Sequence, residues 1–234
     1  MFADLFSPET INETLRIVQG EFGLAIWETF YVTILATAFG VALGLPIGVA
    51  LVVGEEGGVR PLPKPLMSVL STVVNLLRSV PFLILMILAF PLTRVIVGTT
   101  VGTLASVVPL VIAAFPFIAR LVETSLREIS PDTIEAAQSM GATPLQIITR
   151  VMIPECIPSL ISQITIAVTT ILGYSAMSGI IGGGGLGKIA INYGYYRYKY
   201  LVMLLAVVLL IVMVQAFQSI GTRAAIRSDK RLRS

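Results

Sequence analysis

The residues able to do chemistry are few, and the most conspicuous form a glycine run closed by a lysine, Gly182-Gly183-Gly184-Gly185-Leu186-Gly187-Lys188. It satisfies G-x-x-x-x-G-K through Gly182, Gly187 and Lys188, and G-x-G-x-x-G through Gly182, Gly184 and Gly187. Both patterns cradle phosphates when a strand feeds the loop, and the first also needs Ser or Thr after the lysine to hold Mg²⁺. Here Ile189 follows the lysine and an apolar helical stretch precedes the glycines. A nucleotide site is therefore rejected in favour of a flexible outer re-entrant or gating segment, since glycine permits tight turns. Histidine is absent and Cys156 is the one cysteine, which excludes imidazole triads, Cys–His nucleophiles, zinc clusters and an internal disulfide. The chain is expected to catalyse no covalent chemistry and to need no cofactor or metal.

Two polar stripes within apolar sequence are the other candidates. Ser68, Ser71, Thr72, Asn75, Arg78 and Ser79 recur at helical spacing, as one face of a helix does. Arg78 lies about 20 Å along such a helix from Pro65, and a charge at that depth in hydrocarbon is costly and marks function. Alternatively, residues 66–77 form an amphipathic cytoplasmic helix and Arg78 anchors the inner end of the true span; both readings stay open. Further along, Gln163, Thr170, Tyr174 and Met177 share a face, with Ala167 completing the spacing. Such residues also serve as plain interhelical contacts. As a stripe they suit the lining of a translocation path, with Met177 an adaptable apolar plug.

The elements that must carry these residues follow from composition. Of 234 residues, 56% are hydrophobic and 12% charged, and the mean hydropathy is +0.91. Soluble domains carry roughly twice that share of charge, so this is an integral membrane protein. Residues 24–53 hold one charge, Glu28; residues 65–93 hold Arg78; residues 95–119, 156–187 and 200–222 hold none. A helix crosses the hydrocarbon in about 20 residues, which predicts five spans, with residues 91–98 making the turn between the second and third. On the N-terminal side lie Arg16, Arg94, Lys188, Arg197 and Lys199; on the other lie Arg60, Lys64, Arg120, Arg127, Arg150, Arg223, Arg227, Lys230, Arg231 and Arg233. Positive-inside bias places the N-terminus outside and the C-terminus in the cytoplasm.

Residues 1–23 form an extracytoplasmic arm whose Asp4, Glu9, Glu13 and Glu21 against Arg16 do not suit a signal peptide. Ser7-Pro8-Glu9 starts a short interfacial helix there, with Ile11, Leu15 and Val18 on one face. Residues 223–234 form a basic tail that meets membrane lipid rather than nucleic acid. Gly40, Gly44 and Gly48 are a small-residue stripe for close helix packing, and Pro46 is expected to kink the first span. Residues 193–200, with five tyrosines, read as an interfacial aromatic belt.

The long segment between the third and fourth spans is punctuated rather than disordered. Ser130-Pro131-Asp132 starts a helix and Gly141 stops it. Thr143-Pro144-Leu145-Gln146 is a capping box that starts a second, and Pro154 and Pro158 mark where the fourth span begins. Two short helices meeting at a glycine turn and leading into a membrane helix suit a lever; a mere interfacial pair is the alternative.

Glu135-Ala136-Ala137, Gly141 and Val151-Met152-Ile153-Pro154 resemble the E-A-A-x3-G-x9-I-x-L-P signature of ABC-importer permeases, with Val for Ile and Ile for Leu. Residues 90–99, Met140-Gly141-Ala142-Thr143-Pro144 and Gly173-Tyr174-Ser175-Ala176-Met177 resemble the methionine-uptake permeases in particular. The resemblance implies an all-α polytopic membrane protein with the type I ABC importer permease fold, its transmembrane domain spanning residues 24–222. Residues 121–155 would then be the coupling loop, in which Glu135, Ala136, Ala137, Gly141, Ala142, Thr143 and Pro144 meet the ATPase. It further implies two cytoplasmic ATPase subunits, an extracytoplasmic substrate-binding protein and a second copy of the chain. A permease for another small solute, such as an osmolyte, is the alternative; a stand-alone secondary transporter fits less well without paired repeats.

Overall fold

The computed structural model describes residues 7–229, and these are helical with no strand among them. Ser7 caps α1 (Pro8–Ile17), its hydroxyl accepting the Thr10 N–H at 3.2 Å, with Pro8 in the first turn. The helix does not stop there. It passes through a π-helical turn, Val18–Phe22, into α2 (Gly23–Val53), so that Pro8–Val53 is one run of 46 residues carrying Pro46 inside it. The expected separate arm is thus an extension of the first span. Asp4 and the tail residues Lys230, Arg231 and Arg233 lie outside the described residues.

The second span departs most from expectation. Residues 65–93 are not one helix: α3 (Lys64–Ser79) and α4 (Phe82–Leu88) meet at a bend of 108°. Val80 sits between them in extended conformation at φ −79°, ψ 128°. Pro81 is the cause, because its ring disfavours α geometry in the preceding residue. Residues 91–98 are likewise not a turn but most of α5 (Phe90–Val97), which ends where Gly98 adopts φ 84° and donates its N–H to the Arg94 carbonyl at 2.9 Å. Pro91 opens a helix here instead of ending one. The third span accordingly starts later and runs further than residues 95–119, as α6 (Thr103–Arg127).

After α6 come α7 (Pro131–Ser139), α8 (Pro144–Gln146), a π-helical turn Ile147–Met152 and α9 (Ile153–Glu155), then α10 (Ile157–Ser178). The chain continues through a 3₁₀ turn, Gly179–Ile181, into α11 (Gly185–Ile189), a further π-helical turn and α12 (Tyr200–Ser228). The fourth span therefore closes at Gly182, at φ 90°, before residue 187. Among the described residues, four helices are long and apolar enough to cross a membrane, and the bent pair α3–α4 makes a fifth candidate.

Two compact units divide the chain: Met1–Thr37, Phe82–Val111 and Val168–Phe217 form one, and Ala38–Pro81, Ile112–Ala167 and Gln218–Ser234 the other. In the first, Phe22, Ala25, Leu186, Ile189, Val202 and Ala206 form a buried cluster. In the second, the glycine stripe of α2 lies against α6. A Cβ on Gly44 would fall 2.6 Å from the Phe115 carbonyl, and one on Gly48 would fall 2.5 Å from that of Ala119. The backbones touch, which only glycine allows.

Candidate functional site

The α7–α8 pair is built by local signals. Gly141, at φ 79°, donates its N–H to Gln138 at 2.9 Å, and Ala142 donates to Ala137 at 3.1 Å. This pair of bonds satisfies the terminal carbonyls of α7 as a Schellman stop. Thr143 then caps α8: its Oγ1 accepts the Gln146 N–H at 3.4 Å, and its own N–H is accepted by Gln146 Oε1 at 2.8 Å. Pro154 has no N–H for the Arg150 carbonyl, and the helix before it widens so that Ile153 N–H reaches Ile148 O in an i−5 bond. The pair thereby runs into α10 through Cys156, without a loop.

Ala137, Ile147 and Met152 root the pair and are at most 3% exposed. Glu135, Ala136, Gly141, Thr143 and Pro144 are exposed, and Ala142 is half-buried. Met140, 81% exposed, and Leu145, 70% exposed, flank the glycine turn. Sequence reasoning passed over these two, although an apolar residue on each side of a predicted surface turn was the signal. A tip of this composition, with apolar knobs, a nearby carboxylate and little side-chain bulk at the turn, is suited to docking into a protein cleft.

Behind it, in the same unit, lies a charged seam. Arg120 donates to Ser71 Oγ at 2.8 Å, to Asn75 Oδ1 at 2.9 Å and to Glu123 Oε2 at 2.5 Å. Glu123, 8% exposed, also accepts from Arg127 at 2.9 Å, and Arg127 forms a two-pronged pair with Glu55. The Arg127 bonds hold the Glu55 carboxyl below its ordinary pKa. Ser71 and Asn75, read as part of one continuous polar stripe, are thus occupied in seating an arginine of α6. Arg78 is exposed in the last turn of α3, two residues before the bend.

The α10 stripe is rearranged as well. Ala167, expected on the path face, is fully buried. Gln163 is half-buried and borders a cavity of about 920 Å³ shared with Ser125, Glu128, Arg150, Ser159 and Ser162. Thr170 is half-buried, and Tyr174 stacks on Phe82 with ring centroids 4.4 Å apart and planes 5° from parallel. Met177 is 44% exposed. The open face of α10 follows Ser162, Ile166, Gly173 and Met177; of the four predicted residues Met177 lies on it, and the half-buried Thr170, four residues after Ile166 and three before Gly173, borders it.

The glycine segment is fed by a helix and a 3₁₀ turn, not a strand, and Lys188 lies exposed within α11. Its amides are engaged by the protein: Gly185 N–H donates to Glu28 Oε2 at 2.7 Å and Leu186 N–H to Thr29 Oγ1 at 2.9 Å. The segment is anchored rather than loose, and no phosphate cradle is open there.

Residues 40–227 match the family model described as binding-protein-dependent transport system inner membrane component. The chain is 51% identical over 208 residues to the probable D-methionine transport system permease protein MetI of Vibrio cholerae, covering 88% of this chain and 92% of that one. Against the protein of that name from Pasteurella multocida it is 44% identical over 209 residues, 89% of this chain and 96% of the other. Among solved structures it superposes on inward-facing MetNI methionine ABC transporter with a TM-score of 0.87 at 44% identity, covering 89% and 96% of the two chains. The fold, the capped helix pair between α6 and α10 and these likenesses agree: the chain belongs to the family of inner membrane components of binding-protein-dependent transport systems.

Proposed function

We propose that this chain is the membrane-spanning permease subunit of an ATP-driven methionine importer. The observation that carries the mechanism is the continuity of the α7–α8 pair with α10: a stiff, exposed, capped tip leads without a loop into a helix with a partly polar open face. Two copies of the chain line the path, and two cytoplasmic ATPase subunits dock on the tips through Glu135, Ala136, Gly141, Ala142, Thr143 and Pro144; Ala137, expected among them, is buried and seats the helix from behind. The exposed Met140 and Leu145 add apolar contact at that dock. ATP-driven closure of the ATPases moves both tips, tilts α10 and switches access between the two sides of the membrane. An extracytoplasmic binding protein delivers the solute.

Residues 24–222 form the transmembrane domain, with the coupling loop at 121–155, the arm 1–23 outside and the tail 223–234 in the cytoplasm. Met177 narrows the path, Gln163, Thr170 and Tyr174 support its wall, and Arg78, beside the bend between α3 and α4, anchors the inner end of the span that α4 begins. The chain itself hydrolyses no ATP. The names of the relatives and the positive-inside charge bias support this reading. The test is reconstitution of the chain with its co-expressed ATPase and binding protein in liposomes, followed by methionine uptake. Uptake that requires ATP and binding protein is expected. Equal or better uptake of an osmolyte would reassign the solute, and ATP-independent uptake would overturn the importer mechanism.

A further inference from the structure

Glu28 is the lone charge of α2, and the glycine segment imitates a phosphate loop; in the structure each accounts for the other. Glu28 Oε2 accepts the Gly185 N–H at 2.7 Å and Oε1 accepts the Thr103 hydroxyl at 2.7 Å. Next to it, Thr29 Oγ1 takes the Leu186 N–H at 2.9 Å. Two further backbone bonds tie the segment, Gly183 N–H to Ser178 O and Gly102 N–H to Gly182 O, both at 2.9 Å. A Cβ on Gly179 would fall 2.5 Å from the Lys188 nitrogen, so the two limbs of the segment lie backbone against backbone. The remaining space beside Glu28, bounded by Thr29, Thr103, Ser106, Ser178 and Gly184, is about 10 Å³, room for at most one water.

The physical logic is mutual. A carboxylate within an apolar span is expensive unless it accepts hydrogen bonds. Backbone N–H groups at membrane depth must find an acceptor within the protein. A bond from N–H to a carboxylate is stronger than one between neutral groups, so the contact fixes the segment more firmly than packing alone. We infer that Glu28 is a built-in ligand of the glycine segment, a positioning residue that latches the segment to α2 and to the start of α6 in place of any external anion. Because the segment follows directly on α10, the latch holds the end of that helix opposite the α7–α8 tip. The latch itself does not rest on the importer reading above.

Hydrogen–deuterium exchange on the purified complex reads the latch directly, through the peptide covering residues 179–190, with an α7–α8 peptide as internal control. Glu28→Ala is expected to speed exchange in the first peptide at least about tenfold, the factor carried by one lost charge-assisted bond, and to leave the control unchanged. Glu28→Gln keeps a carbonyl acceptor for one of the two donors and should retain part of the protection. Sodium formate, but not sodium chloride, should restore protection in Glu28→Ala by refilling the vacated acceptor position. A rise with either partial retention in Glu28→Gln or recovery in formate supports the latch; no rise, or a rise with neither, overturns it. If Glu28→Ala does not assemble, Glu28→Gln and Thr103→Val make the same comparison, and parental exchange in both overturns the latch. Methionine uptake by the parent complex is scored separately, so its absence would sink the importer reading and leave the exchange result standing.

Discussion

Gly141 sits at φ 79° with no atom within 4 Å of where a Cβ would be. A side chain there meets backbone strain of about 1–2 kcal/mol but no clash within the chain. Gly141→Asp should therefore assemble and co-purify with the ATPase, while uptake falls steeply and ATP hydrolysis stops responding to loaded binding protein. Near-normal uptake by an intact complex would remove the docking role from the α7–α8 turn. Glu55 makes a different prediction, about pH. Its folded-state pKa is lowered, chiefly by the bonds from Arg127, so its contribution to stability is complete above its ordinary value of 4.5 and is lost as pH falls through the lower folded value. With side-chain exposures of 44% and 45% for Glu55 and Arg127 the effect is screened and small. Melting of the parent and of Glu55→Gln, compared across pH, should differ at neutral pH and converge in acid; a gap that widens in acid would contradict the pairing.

At the scale of elements, the contact of α2 with α6 is set by glycine rather than by apolar bulk. Gly48→Val places carbon where the Ala119 carbonyl and the Val122 side chain already stand, and overpacking of this kind costs about 1–3 kcal/mol. Gly23→Ala, with nothing within 4 Å of the new Cβ, is the matched control. Thermal unfolding in detergent should show a clear loss for the first and none for the second; equal behaviour would mean that the helices do not touch through the stripe. The bend between α3 and α4 is of the same kind, a local cause with a structural consequence, since Pro81 holds Val80 extended.

For the molecule as a whole, the glycine-lysine run decides whether the chain can power itself. Its Gly185 and Leu186 amides are taken by Glu28 and Thr29, and Ile189 stands where a metal-binding hydroxyl would be needed. The purified chain should show no ATP hydrolysis, and hydrolysis by the complex should be unchanged by Lys188→Ala. Activity of the chain alone that Lys188→Ala abolishes would overturn this.

What the sequence alone determined was local. The Ser7 cap, the Gly141 stop and the Thr143–Gln146 capping box each depend on residues within a few positions of one another, and all three stand in the structure. The spans α2, α6, α10 and α12 were legible because uncharged length is a property of a single segment. The continuous form of the second span was the less apt of its two readings, because a stretch with the single charge Arg78 does not reveal a 108° bend, even though Pro81 was in view. Tertiary structure alone decided which neighbours each helix acquires. Ala167 is buried against protein, Ser71 and Asn75 seat Arg120 from more than forty positions away, and Glu28 meets Gly185 across 157 positions. Helical spacing gives the faces of one cylinder. Which face meets protein and which stays open depends on how several cylinders pack together, and that pairing is written in no single stretch of residues.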